Sequence, residues 1–436
     1  MNSKLPKYDE AYVWVWLPDA TEPVVAGRLH AHDGLVHFNY GKSYLERREA
    51  IPLYLPELPL QAGELPLPDG LTMPSSMRDA APDAWGRRVI LNRNGVKGSE
   101  LDNLELSELT FLLESGSDRV GALDFQRSPT EYIPRSQDNP SLEELMESAS
   151  KVEKGIPLSP ELDQALHHGS SIGGARPKSL IENGDVKYVA KFSSTSDIYS
   201  VVKAEFVAMR LAALCGINAA PVSLVNASGK DVLLVERFDR VKSEAGWQRK
   251  MMVSALTMLG LDEMMARYAS YADLADIIRH RFTEPQATLR EMFARIVFNI
   301  LSGNTDDHAR NHAAFWSGEM LSLTPAYDIC PQGRAGQEAS QAMLITGDNR
   351  ASRIATCFEA AHHFLLSQDE ALEIIQNQLG CISKHWSAVS GEAKLTETDR
   401  NLFWGRQFLN PYAFTGLDGR FDELRLMAEG IRQAVI

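Results

Sequence analysis

The sequence predicts an α+β protein built of a β-rich N-terminal unit, a compact α/β unit and an all-helical C-terminal part. Three observations carry this. Short runs rich in β-branched and aromatic residues fill Tyr12 to Phe38. Strands alternate with an amphipathic helix between Ser170 and Arg240, and from Leu256 onward apolar residues recur at helical spacing.

The 436 residues include 44 Lys and Arg against 58 Asp and Glu, a net charge of −14. That length suits two or three packed units, and 44% hydrophobic with 23% charged residues excludes disordered and collagen-like classes. A chain this acidic does not coat nucleic acid unaided, because Lys and Arg carry duplex affinity; any DNA contact needs a partner or a local patch. Cys215, Cys330, Cys357 and Cys381 form no C-x-x-C pair and no zinc-spaced set, which fits a reducing compartment. The first apolar run is too short for a signal peptide, and no stretch of about 18 apolar residues offers a bilayer span. The expectation is a soluble, cytoplasmic protein with no membrane partner.

In chain order, YVWVWL, PVVAGRL and LVHFNY read as strands separated by turn residues such as Asp33-Gly34. A Pro-rich stretch from Pro52 to Pro68 follows, then a helix through Trp85, Val89 and Leu91 with Pro82 in its first turn. This β-rich unit is expected to span residues 1–127. Residues 128–168 read as a connector wrapped on the surface, with Ser141 and Glu144 spaced as a capping box. Residues 169–255 form the α/β unit, with strands KYVAKF and DVLLVERF and the helix KAEFVAMRLAALCG. Residues 256–436 are helical: Phe293, Ile296, Val297, Ile300 and Leu301 share one helix face, and ELRLMAEGIRQAVI closes the chain. Neither an internal repeat nor a low-complexity tract is present.

The chemistry-bearing residues begin at Ser170-Ser171-Ile172-Gly173-Gly174-Ala175-Arg176-Pro177-Lys178-Ser179. Adjacent glycines let a backbone approach phosphate, and Arg176 and Lys178 add positive charge. The spacing is not that of a P-loop, and an ordinary tight turn explains it as well. In VAKF, Lys191 shares a strand face with Val189, while Ala190 and Phe192 take the other. An ammonium within an apolar strand needs a partner, and Glu205 on the following helix is a candidate; a snorkelling edge lysine is the alternative. A strand Lys with a helix Glu is the arrangement by which protein kinases orient ATP. VLLVERFDR is a strand whose end, at Glu236 to Phe238, either meets an adenine or is a plain solvated terminus.

Gly303-Asn304-Thr305-Asp306-Asp307-His308-Ala309-Arg310-Asn311 follows directly on the apolar helix. Asp306 and Asn311 have the D-x-x-x-x-N spacing of a kinase catalytic loop, in which the Asp takes the substrate hydroxyl proton and the Asn holds Mg²⁺. Asp328 in LTPAYD arrives where a metal-binding Asp belongs. A metal-hydrolase reading from His308 and His312 lacks the Glu of H-E-x-x-H and a third nitrogen ligand, so His308 reads instead as packing the catalytic loop. Gly-rich loop, strand Lys, helix Glu, D-x-x-x-x-N and a later Asp in this order are hard to obtain by accident.

These residues resemble the HipA family, the serine/threonine-kinase toxins of bacterial type II toxin–antitoxin pairs. The resemblance covers nearly the whole chain. It rests on VVAGRL, FNY, YLERREAIPL, MRDAAPDAWGRR and VGALDF in the N-terminal part, and on SSIGGARPKS, AKF, KAEF, VERFDR, GNTDDHARN and LTPAYD beyond it. It implies a bilobal protein-kinase-like fold with ATP and Mg²⁺ as cofactors. Asp306 would be the catalytic base, and Asn311 and Asp328 the metal ligands. The ATP-binding set would be Ser171, Ile172, Gly173, Gly174, Ala175, Arg176, Lys178, Lys191, Glu205, Glu236, Phe238 and His308, with Lys191 and Glu205 as the orienting pair.

The resemblance further implies that Ser171, with Ser170 beside it, is autophosphorylated and that this silences the kinase. The implied partners are a dimeric HipB-like helix-turn-helix antitoxin, operator DNA reached through that antitoxin, and a protein substrate from translation such as glutamyl-tRNA synthetase. The segment from Trp247 to Leu259 departs from the pattern of some members. Two rivals stand beside this reading: a catalytically weak kinase-fold co-repressor of the antitoxin, and a small-molecule phosphotransferase.

Overall fold

The computed structural model describes residues 6–94, 107–135, 140–156, 158–159, 162, 166, 171, 176–194, 197–334, 336 and 338–434. The chain forms two compact units. The first comprises Met1–Ser196, Val225–Val253 and Phe315–Glu319; the second comprises Asp197–Leu224, Ser254–Ala314 and Met320–Ile436. This grouping differs from the four consecutive segments expected from the sequence, because the chain passes between units several times and the helix Val201–Leu214 belongs to the second.

In the first unit, β1 (Glu10–Val15), β2 (Val24–His32), β3 (Leu35–Tyr40), β4 (Glu64–Leu65) and β5 (Leu123–Gln126) form an antiparallel sheet of order β4-β3-β2-β1-β5. Along β3 every second residue, Val36, Phe38 and Tyr40, is buried, the alternation that a one-sided sheet demands. Asp33 and Gly34 take φ of 49° and 78°, the paired left-handed conformation of a tight hairpin turn.

A second sheet in the same unit joins β6 (Lys178–Asn183), β7 (Val186–Phe192), β8 (Val222–Ala227) and β9 (Lys230–Glu236) in the order β6-β7-β9-β8, with β8 starting in the other unit. Two helices cover one of its faces. Ala84–Arg93 contributes Trp85 and Val89, and Leu142–Glu153 contributes Leu145, Ala149 and Val152, to a core shared with Ala190, Phe192 and Val232.

Two expectations are corrected here. Pro82 precedes the cap of its helix, which begins at Ala84 after Asp83. The connector after Ser128 runs on the surface as expected through residue 135, but not beyond: its capping box forms at Ser141 and Glu144 as expected, and the helix it starts fills the core beneath the second sheet. The spacing of Leu145, Ala149 and Val152 already marks a buried stripe.

The second unit is helical. Pro285–Ser302 is its central helix, with Phe293, Ile296, Val297, Ile300 and Leu301 all buried. Gln368–Glu392 starts on a capping box at Ser367 and Glu370 and buries Ile375, Leu379, Ile382 and Trp386. The last helix, Asp422–Ala434, buries Leu424 and Ala428. Among the described residues no helix is long and apolar enough to cross a membrane.

Candidate active site

In the second unit the helix Pro285–Ser302 is stopped by Gly303 at φ 73°. A Cβ there would stand 2.6 Å from the Gln407 carbonyl oxygen, so only glycine turns the chain at this point. The loop beyond is held from below. Asn304 donates its backbone N–H to the Asn299 carbonyl at 2.8 Å and its side-chain amide to Asn299 Oδ1 at 3.0 Å. Asp307 is buried, accepts from Asn299 Nδ2 at 2.6 Å and from the Tyr271 hydroxyl, and lies 2.9 Å from His312 Nε2.

With Asp307 anchored inward, Asp306 is left exposed at the front of the loop. Its backbone carbonyl accepts from the His308 N–H at 2.9 Å and from Asn311 Nδ2 at 3.0 Å, and the Asn311 N–H closes on the His308 carbonyl at 2.8 Å. The five-residue spacing therefore has a local cause: it lets the Asn side chain fold back onto the backbone of the Asp. Asp328 sits at φ 59° in a segment fixed by the Ala326 N–H on the Asn218 carbonyl at 2.7 Å. The Tyr327 hydroxyl, 2.6 Å from the Arg310 carbonyl, ties that segment to the loop. Partial burial pushes the Asp306 carboxyl above its ordinary range; His308 opposes the shift and the Asp328 charge adds to it.

Asp306, Asn311 and Asp328 are thus brought together, two carboxylates and a carboxamide. Among the described residues no group of three or more His, Cys, Asp or Glu side chains forms a complete metal cage. The set instead fits a hard divalent cation of the Mg²⁺ kind, which takes oxygen donors, needs few protein ligands and completes its shell with phosphate and water. His312 is directed to Asp307 and to the Tyr271 hydroxyl, 2.9 Å away, so it does not join His308 as a ligand pair. Glu205 is buried on Val201–Leu214 in this unit.

The first unit carries the remaining sequence candidates. Lys191 on β7 is half-buried, on the face opposite Ala190 and Phe192, and is the direct cross-strand partner of Lys178 on β6. Like charges facing one another across strands repel, and a polyanion beside them offsets that cost. The backbone under Lys178 is fixed, since its carbonyl accepts from Trp85 Nε1 at 2.9 Å. Arg176 is exposed. Ser171 is buried and donates its hydroxyl to the Asp118 carbonyl at 3.2 Å. Ser170, Ile172, Gly173, Gly174 and Ala175 lie outside the described residues. Glu236 ends β9 opposite Tyr188, and the Phe238 ring meets Phe315 edge-on at 6.0 Å.

The charged end of that strand is not a solvated terminus. Arg237, Asp239 and Arg240 are buried with Asp118 in one network. Arg237 and Arg240 reach Asp118 Oδ1 at 3.0 and 2.8 Å and Asp239 Oδ2 at 2.9 Å each, and Lys187 Nζ is 2.8 Å from Asp118 Oδ2. Burial alone would raise the Asp118 carboxyl; Arg237, Arg240 and Lys187 overcome it and hold it well below the usual carboxylate range. Sequence reasoning missed this network and the Asp307 anchor. One signal for the anchor was present: of the two adjacent aspartates only Asp306 has an Asn five residues on, which leaves Asp307 for another task.

Residues 15–126 match the family model of the HipA N-terminal domain, and residues 170–386 that of the HipA-like C-terminal domain. A candidate kinase of Sinorhizobium fredii, Y4mE, is 24% identical over 316 residues, covering 68% of this chain and 72% of that protein. The serine/threonine-protein kinase toxin HipA of Shewanella oneidensis is 30% identical over 183 residues, covering 36% of this chain and 42% of that protein. A chain in the solved complex of Shewanella oneidensis HipA, HipB and operator DNA shares the fold, with a TM-score of 0.67 at 19% identity and 97% coverage of both chains. Two family models, which between them take in β2 to β5 of the N-terminal sheet and the catalytic loop, show the family: this chain belongs to the HipA family of serine/threonine kinases.

Proposed function

We propose that the chain is the toxin of a type II toxin–antitoxin pair, a protein kinase that transfers the γ-phosphoryl group of ATP to a serine or threonine hydroxyl. The observation that carries this is the loop in which Asp307 is locked inward and Asp306 is presented outward beside Asp328. Asp306 accepts the substrate hydroxyl proton, its basicity raised by partial burial and by its neighbour. Asn311 and Asp328 hold Mg²⁺, which when bound neutralises charge on the phosphates. Lys191 and Lys178 take the α- and β-phosphates, and Glu236 and Phe238 border the adenine.

The partners follow from family membership. A HipB-like antitoxin dimer holds the toxin and brings it to operator DNA, a role that suits a chain of net charge −14 with no need of its own DNA-coating surface. The substrate is a protein of translation such as an aminoacyl-tRNA synthetase. Ser171 is the site of silencing autophosphorylation: a phosphate there adds about −1.5 to −2 charges beside the residues that bind ATP.

Incubation of the purified chain with ATP and Mg²⁺, beside Asp306→Ala, tests the reading by intact mass and phosphopeptide analysis. The parent should gain a phosphate at Ser171 and the variant, still folded, should gain none. An unphosphorylated parent that binds ATP and transfers nothing would sink the kinase assignment and leave a non-catalytic co-repressor.

A further inference from the structure

Beyond Asp328 in the second unit, Arg334 departs from the rule that buried polar groups are paired. Its Nε, Nη1 and Nη2 are all closed to solvent, and none has a hydrogen-bond partner. Among the described residues no other arginine leaves its whole guanidinium in that state; Arg310 and Arg353 leave only Nε. Burial pushes the Arg334 pKa down, and the group that opposes the shift is the Tyr412 phenol rather than a carboxylate. The guanidinium lies 5.9 Å from the centre of the Tyr412 ring, the outer limit of a cation–π contact. Such a contact leaves the N–H groups unmet. An arginine does not shed its proton at neutral pH, so the buried charge stays and needs an acceptor.

The chain on either side of this contact is anchored. The Gln332 N–H donates to the Gly303 carbonyl at 3.0 Å, and the Tyr199 hydroxyl to the Pro331 carbonyl at 3.1 Å. Tyr412 stands in the turn Pro411–Phe414, where its N–H donates to Asn410 Oδ1 at 3.0 Å, and the Leu409 N–H ties the segment before it to the Leu301 carbonyl at 2.7 Å. Both segments are thus fastened to the end of the helix Pro285–Ser302. Arg334 itself is half-exposed while its nitrogens are not, the reverse of the snorkelling by which long cations reach water. Rotation of this one side chain brings the fork to the surface.

The donors select the ligand. A guanidinium offers five N–H groups in a planar fork, and one edge of it already uses both oxygens of a carboxylate. With all three nitrogens of Arg334 orphaned, a ligand with more acceptor oxygens fits better. A phosphate monoester brings three terminal oxygens and about −1.5 to −2 charges. We propose that Arg334 is a phosphate-binding residue, which takes the terminal oxygens of a phosphate that is free, at the end of a nucleotide, or on a phosphorylated side chain. The site is read by binding, so it stands or falls apart from the base assigned to Asp306.

The test is calorimetric titration of the full chain, at constant ionic strength, with inorganic phosphate, a phosphoserine peptide and its serine counterpart, ATP and ADP. Arg334→Met keeps the stem and removes the fork, and Arg334→Lys keeps the charge without the fork. Arg334→Met should raise the dissociation constant of at least one phosphate probe by about tenfold or more, the loss of charge-assisted hydrogen bonds, and Arg334→Lys should restore it only in part. The pattern names the source: a loss for ATP with ADP unchanged assigns the terminal phosphate of the nucleotide, a loss for the phosphoserine peptide assigns a phosphorylated side chain, and a loss for inorganic phosphate alone assigns the free ion. Parent and Arg334→Met binding every probe equally, or a parent that binds none, overturns the site. Stability gives a second readout. Without phosphate the urea midpoint of Arg334→Met should match or exceed that of the parent, because an unpaired buried charge has been removed, and saturating phosphate should raise the parent alone. A midpoint below the parent's in the absence of phosphate would show that the guanidinium serves the fold, and would overturn the proposal.

Discussion

At Asp306 burial, the Asp328 charge and the facing His308 set the strength of the proposed base. A base must be ionised to accept a proton, so activity falls as pH drops through the Asp306 pKa. Because that pKa is raised, the acid limb of kcat/KM should lie above the ordinary carboxylate range of about 3.9. His308 pulls in the other direction, since a cation beside a carboxylate favours its ionised form. His308→Gln should therefore move the acid limb to higher pH. A pH profile of peptide phosphorylation checks this, and a limb that stays or moves down would remove Asp306 as the titrating base. Asp307, one residue on, has no such role, because its carboxylate is spent on Asn299, Tyr271 and His312.

Among the elements, the catalytic loop depends on how the helix Pro285–Ser302 stops. Gly303→Ala should cost about 1–2 kcal/mol of stability for the left-handed conformation alone, read as a lower urea midpoint. The loss should exceed that, because the new Cβ would press on the backbone of Gln407 at 2.6 Å and that backbone must shift. Gly303→Ala with an unchanged midpoint would show that the loop tolerates another exit. This element was legible in the sequence because its signals are local: an apolar helical stripe, a Gly, then Asp306 and Asn311 at fixed spacing. The hairpin at Asp33-Gly34 and the capping box at Ser141 were legible for the same reason. The helix Leu142–Glu153 was misplaced because a polar flank with a capping box reads the same on a surface connector and on a core helix. Only the β-sheet that it covers, with Ala190, Phe192 and Val232, decides between them.

Across the molecule as a whole, the parts hardest to read were pairings between distant residues. Asp118 and Arg237 are 119 positions apart, and Tyr271 and Asp307 are 36 apart, so no window on the sequence contains both partners. Asp118 lies just before β5 of the N-terminal sheet, and Arg237 and Arg240 follow β9 of the second sheet, so their network ties the five-stranded and the four-stranded sheet of the first unit together. A buried charge that loses its partner is costly, by about 3–5 kcal/mol, because the charge left behind is no longer compensated. Asp118→Asn should destabilise the first unit by that order at neutral pH, leaving Asp239 to balance two arginines while Lys187 keeps its pair with Glu182. The dependence on acid has a definite sign. Asp118 and Asp239 both have depressed pKa values in the folded chain, Asp239 at about 2, so their stabilisation is complete above the unfolded carboxylate value of about 3.9 and is lost as pH falls toward the folded values. The parent should therefore lose stability below about pH 4. The Asp118→Asn variant should lose less over the same range, and the gap between the two urea midpoints should narrow as acid is added. A gap that stays constant from neutral to acid would mean that Asp118 is held by packing and hydrogen bonds alone, and that the charges of the VERFDR segment are not what joins the two sheets.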